Sequence, residues 1–407
     1  MKFDSVLSGI KPTPAEAKRV SGHITTFLKE LNKRLAKHKA KAILGGSFAK
    51  DTWLDGDYDV DVFATFDLSA KGQDLSAMLE QALKPWKPLR IHGSRDYFWV
   101  RDEIRYEIIP VLAIKKAADA QNVTDFSPKH VTWAVPKLKK LKDDVRLAKQ
   151  WCKSQRVYGA ESYIRGFSGH VLDILVIHYG GFLKMLRAGA KWRPKTIIDT
   201  NNVHKGKALL ALNASKTQGP LIVVDPVQPD RNAAAAMTQE RYDRFIKAAQ
   251  AFVKKPHESF FLEQKPDYDA LAKRGTLVKI NVQTLNEKED VAGTKMVRAY
   301  DTLKEKLTLF NVIASDWEWD RKKDGVLWYV LKNARLPDTE ERRGPPLDRD
   351  TDVNAFKKKY RNTFTRDKRS WARVKRENTT PTQTLSEALR DTYITSRLAN
   401  AKLERSR

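Results

Sequence analysis

Two aspartates, Asp59 and Asp61, flank Val60 in the run Asp59-Val-Asp-Val-Phe63. In an extended strand, residues two apart share a face. Both carboxylates then project together, while Val60 and Val62 turn to the core. Carboxylates this close resist joint ionisation. A divalent cation relieves the conflict, and hard oxygen donors suit Mg²⁺, which takes one or two carboxylates together with substrate phosphates. Upstream, Gly46-Ser47 supplies a complementary part. A glycine turn lets backbone N–H groups approach a triphosphate, and the serine hydroxyl adds a donor. A third carboxylate is expected on a neighbouring strand. In Ile104-Arg-Tyr-Glu-Ile108 the residues Ile104, Tyr106 and Ile108 share the apolar face, which leaves Glu107 on the other. The expected chemistry is nucleotidyl transfer assisted by two Mg²⁺ ions on Asp59, Asp61 and Glu107. One ion lowers the pKa of a hydroxyl nucleophile, with Glu107 holding that ion or assisting the deprotonation, and the other neutralises the leaving pyrophosphate. An Asp-x-Asp alone is common at exposed strand ends, and nearby Asp51, Asp55, Asp57 and Asp67 read as solvated loop carboxylates.

The elements that must position these groups follow from hydrophobic period. Residues 14–40 read as one amphipathic helix, with Pro14 in its first turn and Val20, Ile24, Leu28, Leu31 and Leu35 at helical spacing. Ala42-Ile-Leu44 reads as a strand, Gly45-Gly-Ser47 as a turn and Asp59–Phe66 as a second strand. Residues 95–111 read as a hairpin turning at Arg101-Asp-Glu103. A strong helix is expected over 136–155, with Leu138, Leu141, Val145 and Cys152 on its apolar side. Its Lys142, Arg146, Lys149 and Lys153 form a basic stripe, which taken alone reads as a solvated face. Helices follow at 167–186 and 238–254. Beyond 256 the pattern gives strands at 277–282, 325–331 and 371–374, helices at 294–309 and 353–360, a break at Gly344-Pro-Pro346 and a C-terminal helix. The expected fold class is α+β and multidomain, with regions 1–139, 140–255 and 256–407.

Charge narrows the partner. The 407 residues carry 76 Lys and Arg against 50 Asp and Glu, a net charge of +26 spread along the chain. Such an excess implies a polyanion, and nucleic acid is the commonest. A hydrophobic content of 41% with 10 Trp excludes a disordered tail. The single cysteine, Cys152, excludes an intramolecular disulfide and a Cys-rich zinc site, and a reducing, cytoplasmic home is expected. The first residues lack the profile of a signal peptide. The longest apolar stretch, 171–186, is interrupted by Asp173, His178 and Lys184, so a core helix and no membrane partner are expected. His170 and His178 read as core or surface histidines rather than ligands.

The run Leu44-Gly-Gly-Ser-Phe-Ala-Lys-Asp-Thr-Trp-Leu-Asp-Gly-Asp-Tyr-Asp-Val-Asp-Val-Phe63 closely resembles the head-domain signature of class I, archaeal-type CCA-adding enzymes. Tyr158-Gly-Ala-Glu161, Arg165-Gly-Phe-Ser-Gly169, Val224-Asp-Pro-Val227 with Arg231-Asn232, and Thr379-Thr-Pro381 resemble its later landmarks in the same order. The resemblance implies a polymerase-β-type nucleotidyltransferase head (1–139, catalytic), a helical, nucleotide-binding neck (140–255) and an α+β, tRNA-binding body and tail (256–407). It implies template-independent addition of C, C and A to tRNA from CTP and ATP, with contacts to the acceptor stem and TΨC arm. Asp59, Asp61 and Glu107 match the family's metal-site carboxylates, with Glu and Asp reversed at the first and third positions. Gly46, Ser47, Lys50, Ser127, His130, Lys149, Tyr158 and Arg231 form the implied nucleotide-binding set. Within it Ser47, Lys149 and Tyr158 match phosphate contacts and Arg231 matches a base-selecting arginine. Ser127 and His130 lie in Asp125-Phe-Ser-Pro-Lys-His130, where the family usually has Thr before Pro. His92-Gly-Ser-Arg-Asp96 departs from the pattern and contributes no residue. Two other functions stay open: a poly(A)- or poly(U)-adding relative that shares the carboxylates but not the later landmarks, and an inactive RNA-binding relative. Oligomeric state is left open, a homodimer included. Thr379-Thr-Pro381 runs almost directly into a helical pattern, so the tail is expected to reach little of the tRNA elbow.

Overall fold

The structure, a computed structural model, describes residues 3–404. The chain divides into two compact units, Met1–Gln264 and Lys265–Arg407.

In the first unit, β1 (Ala40–Leu44), β2 (Asp59–Phe66), β3 (Leu89–Ile91), β4 (Tyr97–Arg101) and β5 (Arg105–Leu112) form one sheet in the order β1-β2-β5-β4-β3. Only β2 and β5 run parallel, and they are neighbours. The helix α1 (Asp4–Ile10) packs on the helical half of the unit, whereas α2 (Pro14–Leu35), α3 (Gly46–Ala49) and α4 (Leu75–Leu83) accompany the sheet. Thr13 caps α2, its Oγ1 accepting from the Glu16 N–H at 3.2 Å. Val20, Ile24, Phe27, Leu31 and Leu35 of α2 are buried in one core with Val60, Val62, Phe66, Leu79, Phe98, Tyr106 and Ile108. Burial contributes roughly 1.5–3 kcal/mol for each large side chain, which fixes α2 and the sheet in a single packing. The helix expected over 14–40 ends at Leu35. A 3₁₀ turn at Ala36–His38 and a left-handed Lys39 (φ 50°) carry the chain into β1.

The rest of this unit is mostly helical: α5 (Ser127–Leu138), α6 (Lys142–Ser154), α7 (Gly169–Tyr179), α8 (Phe182–Gly189), α9 (Ala208–Ala211) and α10 (Gln239–Lys254). The short strands β6 (Thr196–Ile198) and β7 (Leu221–Val223) pair in parallel. Trp151, Phe167, Leu172, Leu175, Phe182, Tyr242, Phe245 and Phe252 belong to its core. Two expected helices are broken. The one over 136–155 stops at Leu138 and restarts at Lys142, because Leu141 leaves helical geometry at φ −120° and ψ 9°. Pro136 lacks an N–H to stabilise the turn before the break, and Asp143 and Asp144 favour a new helix start. The one over 167–186 is cut at Gly180 and Gly181, with φ of +70° and +129°.

In the second unit, α11 (Tyr268–Ala272), β8 (Thr276–Thr284), α12 (Glu289–Lys306), β9 (Val312–Trp319), β10 (Asp324–Leu331), β11 (Thr339–Pro346), α13 (Asp350–Lys359), β12 (Thr363–Arg366), β13 (Arg369–Lys375), α14 (Pro381–Ala388), α15 (Thr392–Thr395) and β14 (Leu398–Leu403) follow in order. They form a four-stranded sheet, β14-β8-β10-β9, and a three-stranded one, β11-β13-β12. Three expectations are corrected. Strand β9 was not anticipated, because Ser315, Asp316 and Glu318 dilute its apolar pattern. Gly344-Pro-Pro346 does not break the chain; it ends β11, an edge strand whose register to β13 shifts between Arg343 and Pro346, and edges and bulges are where a sheet tolerates proline. The last element is a strand rather than a helix, since β14 pairs antiparallel with β8. No helix among the described residues is long and apolar enough to cross a membrane.

Candidate active site

Parallel pairing of β2 and β5 sets Asp61 directly opposite Glu107 and Asp59 opposite Arg105. Alternation buries Val60 and Val62 and leaves the carboxylates on one face. The Asp59 carboxylate is contacted by the Arg105 guanidinium, a partner the sequence pattern did not reveal. Glu107 accepts from Trp99 Nε1 on β4 at 3.0 Å. Burial pushes the Asp61 carboxyl up to about 6, and the charges of Glu107 and Asp59 add to this against Lys50 and Lys149. Burial also raises Glu107. The three groups thus show the crowding that a divalent cation relieves, and their oxygens suit Mg²⁺. Gly46 opens the four-residue α3 rather than a plain turn, with φ +52°, and a Cβ there would lie 1.6 Å from Asp61 Oδ2. The neighbouring Gly45 N–H donates to the Asp61 carbonyl at 2.8 Å. The Gly46-Ser47 backbone is therefore pinned against the carboxylates.

The basic stripe of α6 is not a solvated face. Arg146 and Lys149 are buried. Lys142 and Arg146 pair with Asp51 at 2.8 and 2.7 Å, Lys149 Nζ donates to the Thr52 carbonyl at 3.0 Å, and Lys153 pairs with Asp57 at 2.9 Å. The loop that leads from α3 to β2 is thereby fastened to the helical half. Asp51 and Asp57, expected as solvated loop carboxylates, are the acceptors. Burial lowers Lys149 to about 8. Lys50, at the end of α3, forms an ion pair with the fully buried Asp173 of α7. Tyr158 also stands here: a Cβ on Gly169 would meet its Oη at 3.2 Å and Lys149 Cε at 4.0 Å.

Ser127 and His130 occupy the first turn of α5. The buried Asp125 just before them anchors that turn. It accepts from the N–H groups of Leu112, Gln121 and Asn122 at 2.8, 2.9 and 3.0 Å, and its carboxylate pairs with Arg95. Arg95 lies in the segment from which no site residue was expected. His130 reaches Asp225, and so does Arg231. The structure thus gathers Asp59, Asp61, Glu107, Gly46, Ser47, Lys50, Lys149 and Tyr158 around one contiguous region, and His130 and Arg231 around a second carboxylate. His170 of α7, next to Gly169, borders both. No spacing in the sequence links Arg105 to Asp59, Asp173 to Lys50, Asp125 to Arg95 or Asp225 to His130, pairs that lie 30 to 123 residues apart.

This sheet, with its acidic pair on β2 and a third carboxylate on parallel β5, defines a nucleotidyltransferase of the polymerase-β type. Residues 24–117 match the family of the nucleotidyltransferase domain, 143–262 the tRNA nucleotidyltransferase second domain and 274–396 the CCA-adding enzyme C-terminal domain. A CCA-adding enzyme of Nanoarchaeum equitans is 31% identical over 359 residues, 86% of this chain and 86% of that protein. One from Methanoregula boonei is 31% identical over 377 residues, 88% of this chain and 79% of the relative. The chain belongs to the CCA-adding enzyme family. The solved structure of the Cid1 poly(U) polymerase bound to MgATP shares the fold, with a TM-score of 0.51 and 14% identity over 64% of this chain and 97% of that one.

Proposed function

We propose that this protein adds C, C and A to the 3′ end of tRNA from CTP and ATP without a nucleic-acid template, releasing pyrophosphate. The register pairing of Asp61 with Glu107 beside Gly46 is the observation that carries the chemistry, and membership of the family carries the substrate. Asp59, Asp61 and Glu107 would hold two Mg²⁺ ions, which when bound supply charge neutralisation at the α-phosphate and the leaving pyrophosphate. Glu107, whose carboxyl burial raises, would either hold the ion at the attacking 3′-hydroxyl or assist the deprotonation of that hydroxyl. Gly46, Ser47, Lys50, Lys149 and Tyr158 grip the triphosphate. Ser127, His130 and Arg231 face the nucleoside. By this reading residues 1–139 are catalytic, 140–255 complete the nucleotide site and 256–407 bind tRNA.

The second unit supports an RNA role through its basic surface. Lys357, Lys358 and Lys359 close α13, and the Arg366 guanidinium lies 4.2 Å from the Trp371 ring centroid. Such groups contact backbone phosphate and position RNA without reading sequence. The acceptor stem and TΨC arm are the proposed contacts, and the cytoplasm is the proposed site of action.

An extension assay tests the proposal. A tRNA ending at the discriminator base, given CTP alone, should gain two residues. After both are present, ATP should add one more and stop. Long A or U tails would show a different tailing enzyme, and no extension would show an inactive RNA-binding relative.

A further inference from the structure

His130 and Arg231 come from segments about a hundred residues apart, yet one carboxylate holds both. Asp225, two residues beyond β7, is fully buried. Its Oδ1 accepts from the N–H groups of Val227 and Gln228 at 2.9 and 3.1 Å. Its Oδ2 accepts from Arg231 Nη1 at 3.0 Å. His130 Nε2 lies 3.0 Å from the carboxylate, and His170 Nε2 lies 3.6 Å from Oδ2. The backbone closes the same loop, because the Asp225 N–H donates to the Arg231 carbonyl at 3.0 Å and the Arg231 N–H to the Gln228 carbonyl at 2.8 Å. Burial alone would raise the Asp225 carboxyl, but the surrounding donors hold it well below the usual range, so it stays ionised.

His130, His170 and Asp225 also have the spacing of a metal-binding trio. Arg231 argues against a cation there. Its guanidinium already supplies the positive charge at Oδ2, and two backbone N–H groups use Oδ1. The carboxylate is a holder of donors. The Arg231 side chain is itself partly exposed. A guanidinium is planar and rigid, so holding Nη1 at one end while the backbone of Arg231 is tied to the same loop narrows the directions in which its remaining N–H groups point. Those groups can only donate. C and A each present a ring-nitrogen acceptor on the Watson–Crick edge, whereas U and G present an N–H at that position. An oriented arginine therefore discriminates, and a freely turning one does so poorly.

We infer that Asp225 is a positioning residue for nucleotide choice: its buried carboxylate orients the Arg231 guanidinium and ties His130 to the same point. This rests on the proposed function and adds the group on which selection depends. Asp225→Asn keeps the shape and an acceptor for Val227 and Gln228 but removes the charge. In single-nucleotide extension of tRNA by the full-length enzyme, it should raise the UTP-to-CTP incorporation ratio at least tenfold. The KM for CTP should rise several-fold, with kcat within about threefold of wild type. Arg231→Ala should lose discrimination to a similar degree, and adding Asp225→Asn to it should change the ratio less than twofold. Arg231→Lys, which keeps the charge pair but not the fork, should behave like Arg231→Ala. This variant still tests the idea if Asp225→Asn fails to fold. An Asp225→Asn enzyme with unchanged discrimination overturns the inference, as do losses that multiply independently in the double variant or full selectivity in Arg231→Lys. Failure of the wild-type chain to add C to tRNA would instead overturn the proposed function itself.

Discussion

Gly46 and Asp61 approach so closely that a Cβ on Gly46 would lie 1.6 Å from Asp61 Oδ2. Its φ of +52° adds a second reason for glycine. Gly46→Ala should therefore displace the Asp61 carboxylate or the α3 backbone. Nucleotide addition should fall at least a hundredfold, about 2.7 kcal/mol of transition-state stabilisation. The loss of thermal stability should stay modest, about 1–3 kcal/mol. Steady-state kinetics with thermal melting would check both, and near-normal kcat/KM would show that the backbone at Gly46 does not set the site.

The raised Asp61 carboxyl makes stability depend on pH and metal. Its folded pKa of about 6 lies above the ordinary 3.8. Between those values the folded state binds more protons than the unfolded, so its contribution is present at low pH and is lost as pH rises through about 6. Metal-free protein should thus be destabilised at pH 7–8, by on the order of 3 kcal/mol from this group. Asp61→Asn should raise the melting temperature of the metal-free protein at pH 8. Mg²⁺ should stabilise wild type at pH 8, less at pH 5, and Asp61→Asn least of all. Equal Mg²⁺ stabilisation of wild type and Asp61→Asn would remove Asp61 from the metal site.

Lys149 gives the alkaline counterpart. Burial lowers it to about 8, so the ammonium that would face a triphosphate loses its proton above that pH. The kcat/KM for CTP should decline above about pH 8. Lys149→Met should weaken CTP at least tenfold, about 1.4 kcal/mol, and remove that limb. An unaltered alkaline limb in the variant would assign it to another group.

Binding of tRNA should be steeply salt-dependent, as expected for a chain of net charge +26. With about five phosphate contacts, affinity should drop roughly two to three orders of magnitude between 50 and 200 mM salt. Filter binding over that range checks it, and a flat response would count against an RNA backbone contact.

Local pattern carried the acidic strand face, because alternation at Val60 and Val62 is a property of neighbouring residues. Glu107 was legible for the same reason: Ile104, Tyr106 and Ile108 marked its strand's buried face, and β5 proved to be the neighbour. The groups that hold the site in place were not legible. Lys50–Asp173 and Arg146–Asp51 pair across 123 and 95 residues, and Arg105–Asp59 across 46. No spacing rule links such positions. Asp173 looked like an interruption of an apolar stretch, yet it is the buried anchor of Lys50. The basic stripe of α6 had helical spacing, but only the fold showed acceptors over it. In the second unit, β14 carries helix-forming Leu398, Ala399, Ala401 and Lys402, and pairing with β8 overrides that preference. The helix break at Leu141 arose from backbone geometry within a continuous apolar pattern.

If the β2 and β5 carboxylates catalyse an ordered, self-terminating addition, the 3′ ends of the product record it. Sequencing the 3′ ends of a tRNA transcript lacking CCA tests it most directly, after incubation with all four nucleotides and Mg²⁺. The wild-type chain should leave ends that finish in CCA and stop, while Asp59→Ala and Asp61→Ala should leave the transcript unextended yet still bind it in a filter assay. Homopolymeric or random tails from wild type, or CCA ends from either variant, would contradict the account.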